Sequence, residues 1–129
     1  MLQKFFAPKS AVWALDFGEH SVIALAGDGA MQMNGINGLI TVARLWKQRQ
    51  DPRLVVMVLN NNDLNLVTWE QRATAGDPRY APSQGLPDFP YAAYAEMLGL
   101  KGIKVTQPDD VGPAWSVALT CDRPCLLEM

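Results

Sequence analysis

Two short polar stretches in this chain could do chemistry together. Gly27-Asp28-Gly29 follows the apolar run Val22 to Ala26, and Asn60-Asn61-Asn62 closes a second apolar run, Leu54 to Leu59. A carboxylate at the end of one strand and an asparagine at the end of the next can reach one hard cation from two sides and hold a phosphate against it. A carboxylate, an amide oxygen and a backbone carbonyl form an all-oxygen donor set, which suits Mg2+ or Ca2+ rather than zinc. Mg2+ is usually held by one or two carboxylates plus substrate phosphates, so few protein charges are needed and a diphosphate would complete the shell. Alone, Gly-Asp-Gly is also a common turn signal. The joint placement of the two stretches, one crossover apart, is what points to a ligand site.

The elements that must position them are legible from periodicity. Val22 to Ala26 and Leu54 to Leu59 have the length and β-branched composition of buried parallel strands, and both are expected to be central. Between them, Ile36, Leu39, Ile40, Ala43 and Trp46 recur at helical spacing, and the polar segment Lys47 to Arg53 leads into the second strand. This is a βαβ unit, in which ligands sit beyond the carboxyl ends of the strands. Gly27 and Gly29 remove side chains where the chain turns, so that a ligand can approach the backbone and the amides of the following helix can face an anion. Val42 and Leu45 fall off the main apolar stripe, which predicts a second cover for this helix and a homodimer. Downstream, a short helix is expected over Asn65 to Arg72 and a surface loop, expected to be mobile, over Ala73 to Pro90. A helix from Tyr91 to Leu98 should end at Gly99. A strand over Ile103 to Val105, a helix over Asp109 to Thr120 entered through Pro108, and a last strand over Cys125 to Glu128 follow.

The stretch from Gly27-Asp28-Gly29-Ala30-Met31-Gln32-Met33-Asn34-Gly35 to Leu59-Asn60-Asn61 resembles the thiamine diphosphate signature, with the thirty residues Ala30 to Leu59 intervening. The continuation Asp63-Leu64-Asn65-Leu66-Val67-Thr68-Trp69-Glu70-Gln71-Arg72 is similar to the acetolactate synthase and pyruvate oxidase branch of that family. Pro87-Asp88-Phe89, Ala95-Glu96-Met97-Leu98-Gly99 and Pro124-Cys125-Leu126-Leu127-Glu128 fit the same branch. The resemblance implies a three-layer α/β/α fold with a mostly parallel sheet. It also implies thiamine diphosphate and Mg2+ as cofactors, with Asp28, Asn61 and the backbone carbonyl of Asp63 as metal ligands. In a register shifted by one residue, Asn62 would replace Asn61. Gly27, Gly29 and Ala30 would lie at the diphosphate and Leu64 beside the cofactor. Met31 would lie near the cofactor's rings, or equally be a first-turn residue packed into the core.

Members of this family take the proton-abstracting glutamate from a separate pyrimidine-binding domain, so such a partner domain or subunit is implied. Glu19, Glu70, Glu96 and Glu128 lie within or beside the cofactor-anchoring unit, and none is assigned that catalytic role. The resemblance runs from Ser21 to Met129. Met1 to Glu19 does not look like the family's upstream segment, and Trp13 to Phe17 is a candidate substitute edge element. Three readings stand: the cofactor-binding domain of a thiamine diphosphate-dependent decarboxylase, carboligase or oxidase, a non-catalytic oligomeric or interaction protein that keeps the fold and metal motif, and a different α/β nucleotide binder. The last is disfavoured, because no Gly-rich dinucleotide fingerprint or lysine-bearing phosphate loop is present.

Composition fits one unit. With 129 residues, 49% of them apolar, the chain is long enough for one core. Its formal charge of -2 argues against non-specific nucleic-acid binding. Cys121 and Cys125 lack a metal-binding or redox spacing and are expected as free thiols in a cytoplasmic protein. No stretch approaches membrane-spanning length. His20, the lone histidine, is expected at the surface.

Overall fold

In a computed structural model, the structure describes residues 21–129. The readings made for Met1 to Glu19, for Trp13 to Phe17 and for His20 lie outside the described residues. Four strands, β1 (Val22–Gly27), β2 (Leu54–Leu59), β3 (Lys101–Lys104) and β4 (Cys125–Glu128), form an all-parallel sheet in the order β1-β2-β4-β3. Parallel strands need crossovers, and helices supply them. A helical turn at Asp28–Ala30 and a π-helical turn at Met31–Gly35 lead into α1 (Ile36–Leu45), which returns the chain to β2. Then come α2 (Asn65–Ala75), the single turn α3 (Ala81–Gln84) and α4 (Tyr91–Met97) before β3. A 3-10 turn at Pro108–Asp110 starts α5 (Val111–Thr120), which precedes β4.

Alternation of side chains along the strands decides which helix covers which face. Leu54, Val58 and Leu126 point to one face and pack with Met31, Leu39 and Val42 from the α1 side and with Tyr91, Ala92 and Ala95 from α4. Val55, Cys125 and Leu127 point to the other, under Ala114 and Ala118 of α5. The result is three layers, α/β/α, as the resemblance implies. Each fully buried Val or Leu here contributes about 1.5–3 kcal/mol.

Five expectations are corrected. β1 is an edge strand among the described residues, not a central one, and its alternate residues Ile23 and Leu25 are each 49% exposed. On α1 the buried stripe runs through Leu39 and Val42, while Ile40 lies exposed; the sheet fixes the rotation of the helix, and one residue of drift moves the stripe by 100°. The strand expected over Ile103 to Val105 is Lys101–Lys104, because its register is set by pairing with Cys125 to Glu128. The helix after the asparagines extends to Ala75, where Gly76, with φ 71, ends it in the left-handed conformation. The segment expected as a loop over Ala73 to Pro90 therefore contains the end of α2 and all of α3.

Both cysteines are free thiols. Burial pushes the Cys125 thiol up to about 12, with Cys121 adding to the effect. A rise from 9.0 to about 12 lowers the thiolate fraction about a thousandfold. A thiol reagent at pH 8 is thus expected to modify Cys121 first and Cys125 only as the chain unfolds, which mass spectrometry of the labelled protein would read. The same shift makes stability fall as pH rises from 9 through about 12, since the unfolded chain ionises this thiol first.

Candidate functional site

β1 and β2 pair in register with Gly27 opposite Leu59, so the two polar turns leave the sheet side by side at its carboxyl end. Asp28 is the buried group between them, only 3% exposed. Its Oδ1 accepts the Gly29 amide at 2.8 Å, and its Oδ2 accepts the Asn62 amide at 2.5 Å. The Tyr91 hydroxyl donates to the Asp28 carbonyl at 3.3 Å, and burial raises the Tyr91 phenol above its ordinary range. Among the described residues no lysine or arginine pairs with Asp28. A buried carboxylate held only by neutral donors retains a demand for positive charge.

The second turn is tied down from several directions. The Asn60 amide donates to the Met129 carbonyl at 2.7 Å, and Asn61 Oδ1 accepts the Asp63 amide at 3.1 Å. Asn62 has φ 55, a left-handed conformation that asparagine tolerates better than most residues. That conformation turns its amide toward Asp28 and its carbonyl toward the Leu86 amide, 2.9 Å away. The Leu64 amide donates to the Gln84 carbonyl at 2.8 Å, and Asp63 bridges Gly85 antiparallel. Arg79 adds an ion pair to Asp63 at 2.9 Å. The segment 79–86 thus lies strapped across the turn.

The structure brings Asp28 and the asparagine tip together. The contact is made by the Asn62 amide, while the Asn61 side chain is engaged within its own turn. Gly29 and Leu64 also meet: a Cβ on Gly29 would stand 2.8 Å from a Leu64 methyl. Gly27 faces open space and has φ -84 and ψ 158, which any residue adopts, so neither backbone nor packing within the described residues requires glycine there. Ala30 is half-buried in the first helical turn. Met31 is 1% exposed in the main core, which matches the packed-core alternative for its position. Among the described residues, no three His, Cys, Asp or Glu side chains group as a metal site, so a zinc-type ligand set is absent there. By donor chemistry alone, oxygens such as those of Asp28, Asn61 and the Asp63 carbonyl would suit a hard cation completed by phosphate rather than a zinc ion.

Several residues that shape this region carried no sequence signal. Gln84 is buried in a polar stretch; its Oε1 accepts the Tyr80 amide at 2.6 Å and its Nε2 donates to Gln71. Gln32 donates to the Pro87 carbonyl at 2.8 Å, joining the first helical turns to the strap. Glu128 ends β4 beside the asparagine turn and is treated below.

The two glycines separate by their surroundings. Gly27→Ala is expected to leave the melting temperature unchanged or slightly raised, because an unstrained Gly→Ala change stabilises by about 0.4–1 kcal/mol through the unfolded chain. Gly29→Ala must displace the Leu64 side chain and is expected to melt lower than Gly27→Ala, by about 1 kcal/mol of stability. Thermal unfolding of the two variants side by side checks the order.

A parallel α/β/α sheet whose first two strands end in a Gly-Asp-Gly turn with a buried aspartate and in an asparagine tip defines the class of cofactor-binding domains to which comparison also leads. Residues 9–129 match the family described as "Thiamine pyrophosphate enzyme, C-terminal TPP binding domain". The chain belongs to this family and is a thiamine diphosphate-binding domain. The match begins upstream of Ser21, within the segment that does not look like the family by motif. The chain is 32% identical over 122 residues to the putative thiamine pyrophosphate-containing protein YdaP of Bacillus subtilis, covering 95% of this chain and 20% of that protein. It is 36% identical over 102 residues to the acetolactate synthase isozyme 3 large subunit of Escherichia coli, covering 78% of this chain and 16% of that one. The thiamine diphosphate-dependent 4-hydroxybenzoylformate decarboxylase of Rhodococcus jostii superposes with a TM-score of 0.81 at 25% identity, over 98% of this chain and 22% of the decarboxylase. The chain therefore spans about a fifth of the length of these relatives. Among the described residues no helix is long and apolar enough to cross a membrane.

Proposed function

We propose that this domain anchors the diphosphate of thiamine diphosphate through Mg2+, held by the Asp28 carboxylate, the Asn61 side-chain oxygen and the Asp63 carbonyl. The observation that carries the reading is the buried Asp28 carboxylate, without a cationic partner among the described residues, in direct hydrogen bond to the asparagine turn. A dication answers the charge left unbalanced there, and phosphate oxygens answer the remaining charge of the dication. When bound, thiamine diphosphate supplies the electron sink for cleavage beside a 2-oxo group. The residues of this chain bind and orient it. Gly27, open to solvent at the strand end, leaves room for the diphosphate, and the Ala30 amide, one residue after the Gly29 amide that Asp28 holds, lies in the first helical turn where an anion is favoured. Leu64, packed on Gly29, walls the site from the strap side.

The assembly that this domain serves is a 2-oxo acid decarboxylase, carboligase or oxidase. The names of the acetolactate synthase and decarboxylase relatives support that class. A pyrimidine-binding domain, on the same or another polypeptide, completes the site, and this domain pairs with a second copy. The exposed Ile23, Leu25 and Ile40 favour self-association. Calorimetric titration of the chain with thiamine diphosphate, with Mg2+ and with EDTA, tests the reading. Uptake that requires the cation is the expected result. No uptake in either condition would favour a non-catalytic protein that keeps the fold, and uptake indifferent to EDTA would remove the metal from the account.

A further inference from the structure

Glu128 is 2% exposed at the carboxyl end of a central strand, a place where its neighbours Leu126 and Leu127 show that an apolar residue packs without cost. Burying a carboxylate is expensive unless donors converge on it. Here three do: the Ala92 amide at the start of α4 donates to Oε2 at 3.0 Å, Lys104 pairs with Oε1 at 2.8 Å, and Asn60 Nδ2 approaches Oε1 at 3.4 Å. Asp88 Oδ1 stands 3.4 Å from the same Asn60 nitrogen. Two carboxylates facing one primary amide permit only one orientation of it, because flipping Asn60 would set its oxygen against both. The buried Asn60 Oδ1, which has no hydrogen-bond partner among the described residues, is the cost of that orientation. Asn60 is also the residue from which the 60–63 turn departs, and two residues on the Asn62 amide meets Asp28.

We propose that Glu128 is a positioning residue for the cofactor site: by orienting Asn60 and the start of α4 it fixes the direction in which the 60–63 turn leaves the sheet toward Asp28. Its consequence for binding rests on the cofactor reading above, but its effect on the turn does not. Glu128→Gln keeps the size and removes the charge, leaving an NH2 group facing at least one of the donors. Asn60→Ala removes the other end of the contact.

Amide hydrogen exchange of the ligand-free full chain tests the proposal, with Ala118→Gly in α5, on the opposite face of the sheet, as a control for general loss of stability. Referenced to the core amide of Val56, protection of the Asn62 amide should fall about tenfold further in Glu128→Gln and in Asn60→Ala than in Ala118→Gly. Equal loosening in all three would overturn the proposal, as would an unchanged Asn62 amide. Calorimetry on the same proteins should show Mg2+-dependent uptake of thiamine diphosphate weakened about tenfold by Glu128→Gln, in proportion to the loosened turn. Failure of the unaltered chain to take up the cofactor, with Asn62 still responding to Glu128→Gln, would defeat the cofactor reading and leave the role of Glu128 in the turn supported.

Discussion

Asp28→Asn is expected to lower Mg2+-dependent uptake of thiamine diphosphate by at least about a hundredfold while leaving the chain folded. A hundredfold corresponds to about 2.7 kcal/mol, a modest toll for deleting the one carboxylate proposed to face a dication. The effect on folding is smaller because two terms oppose. An amide at this position still accepts one of the two amide donors, from Gly29 or Asn62, and opposes its NH2 to the other, at a cost of about 1–3 kcal/mol. Against that, the substitution removes a buried charge that has no cationic partner among the described residues, which offsets much of the cost. Calorimetry and thermal unfolding on the same sample separate the two effects. A variant that binds as the unaltered chain does would remove Asp28 from the site, and one that unfolds outright would make it a structural carboxylate first.

The second large effect is structural and lies on the far side of the sheet from β1. Gly102→Ala should destabilise the chain by about 3 kcal/mol or more. A Cβ on Gly102 would stand 2.0 Å from the Ala92 carbonyl oxygen and 2.7 Å from its carbon. Those are backbone atoms of α4, so no rotamer change relieves the clash and the helix must move off β3. The displacement reaches the site, because the Ala92 amide of the same residue donates to Glu128. Chemical denaturation of Gly102→Ala beside Gly112→Ala, whose Cβ would meet nothing within 4 Å, measures the difference. Equal midpoints would show that α4 does not seat on β3 as closely as described.

What the sequence made legible and what it hid differ for physical reasons. Local periodicity placed β2 and β4 at their observed bounds, because a run of β-branched and aliphatic residues ended by turn-forming ones leaves few alternatives. The juxtaposition of Gly27-Asp28-Gly29 with Asn60-Asn61-Asn62 was also legible, since a crossover between parallel strands must return both ends to one edge. The place of β1 in the sheet was not. Val22 to Ala26 reads as fully buried, yet Ile23 and Leu25 are half exposed, because composition reports what a strand could bury and not what covers it. The rotation of α1 was equally hidden: Val42 and Ile40 are both apolar, and only contact with Leu54 and Val58 selects Val42. Gln84, Arg79 and Glu128 gave no signal because their partners are far apart in sequence or are backbone groups, and a polar residue in a polar stretch reads as surface.

Mn2+ in place of Mg2+ offers the most direct test of the central claim, that Asp28 and the asparagine turn jointly hold a cation against the diphosphate. Paramagnetic broadening of backbone amide signals, recorded with thiamine diphosphate and substoichiometric Mn2+, should erase Asp28, Gly29, Asn61, Asn62 and Asp63 first and leave Ala114 and Ala118 of α5 sharp. Broadening centred on another acidic stretch, such as Asp109 and Asp110, with the Asp28 and Asn62 signals intact, would contradict it.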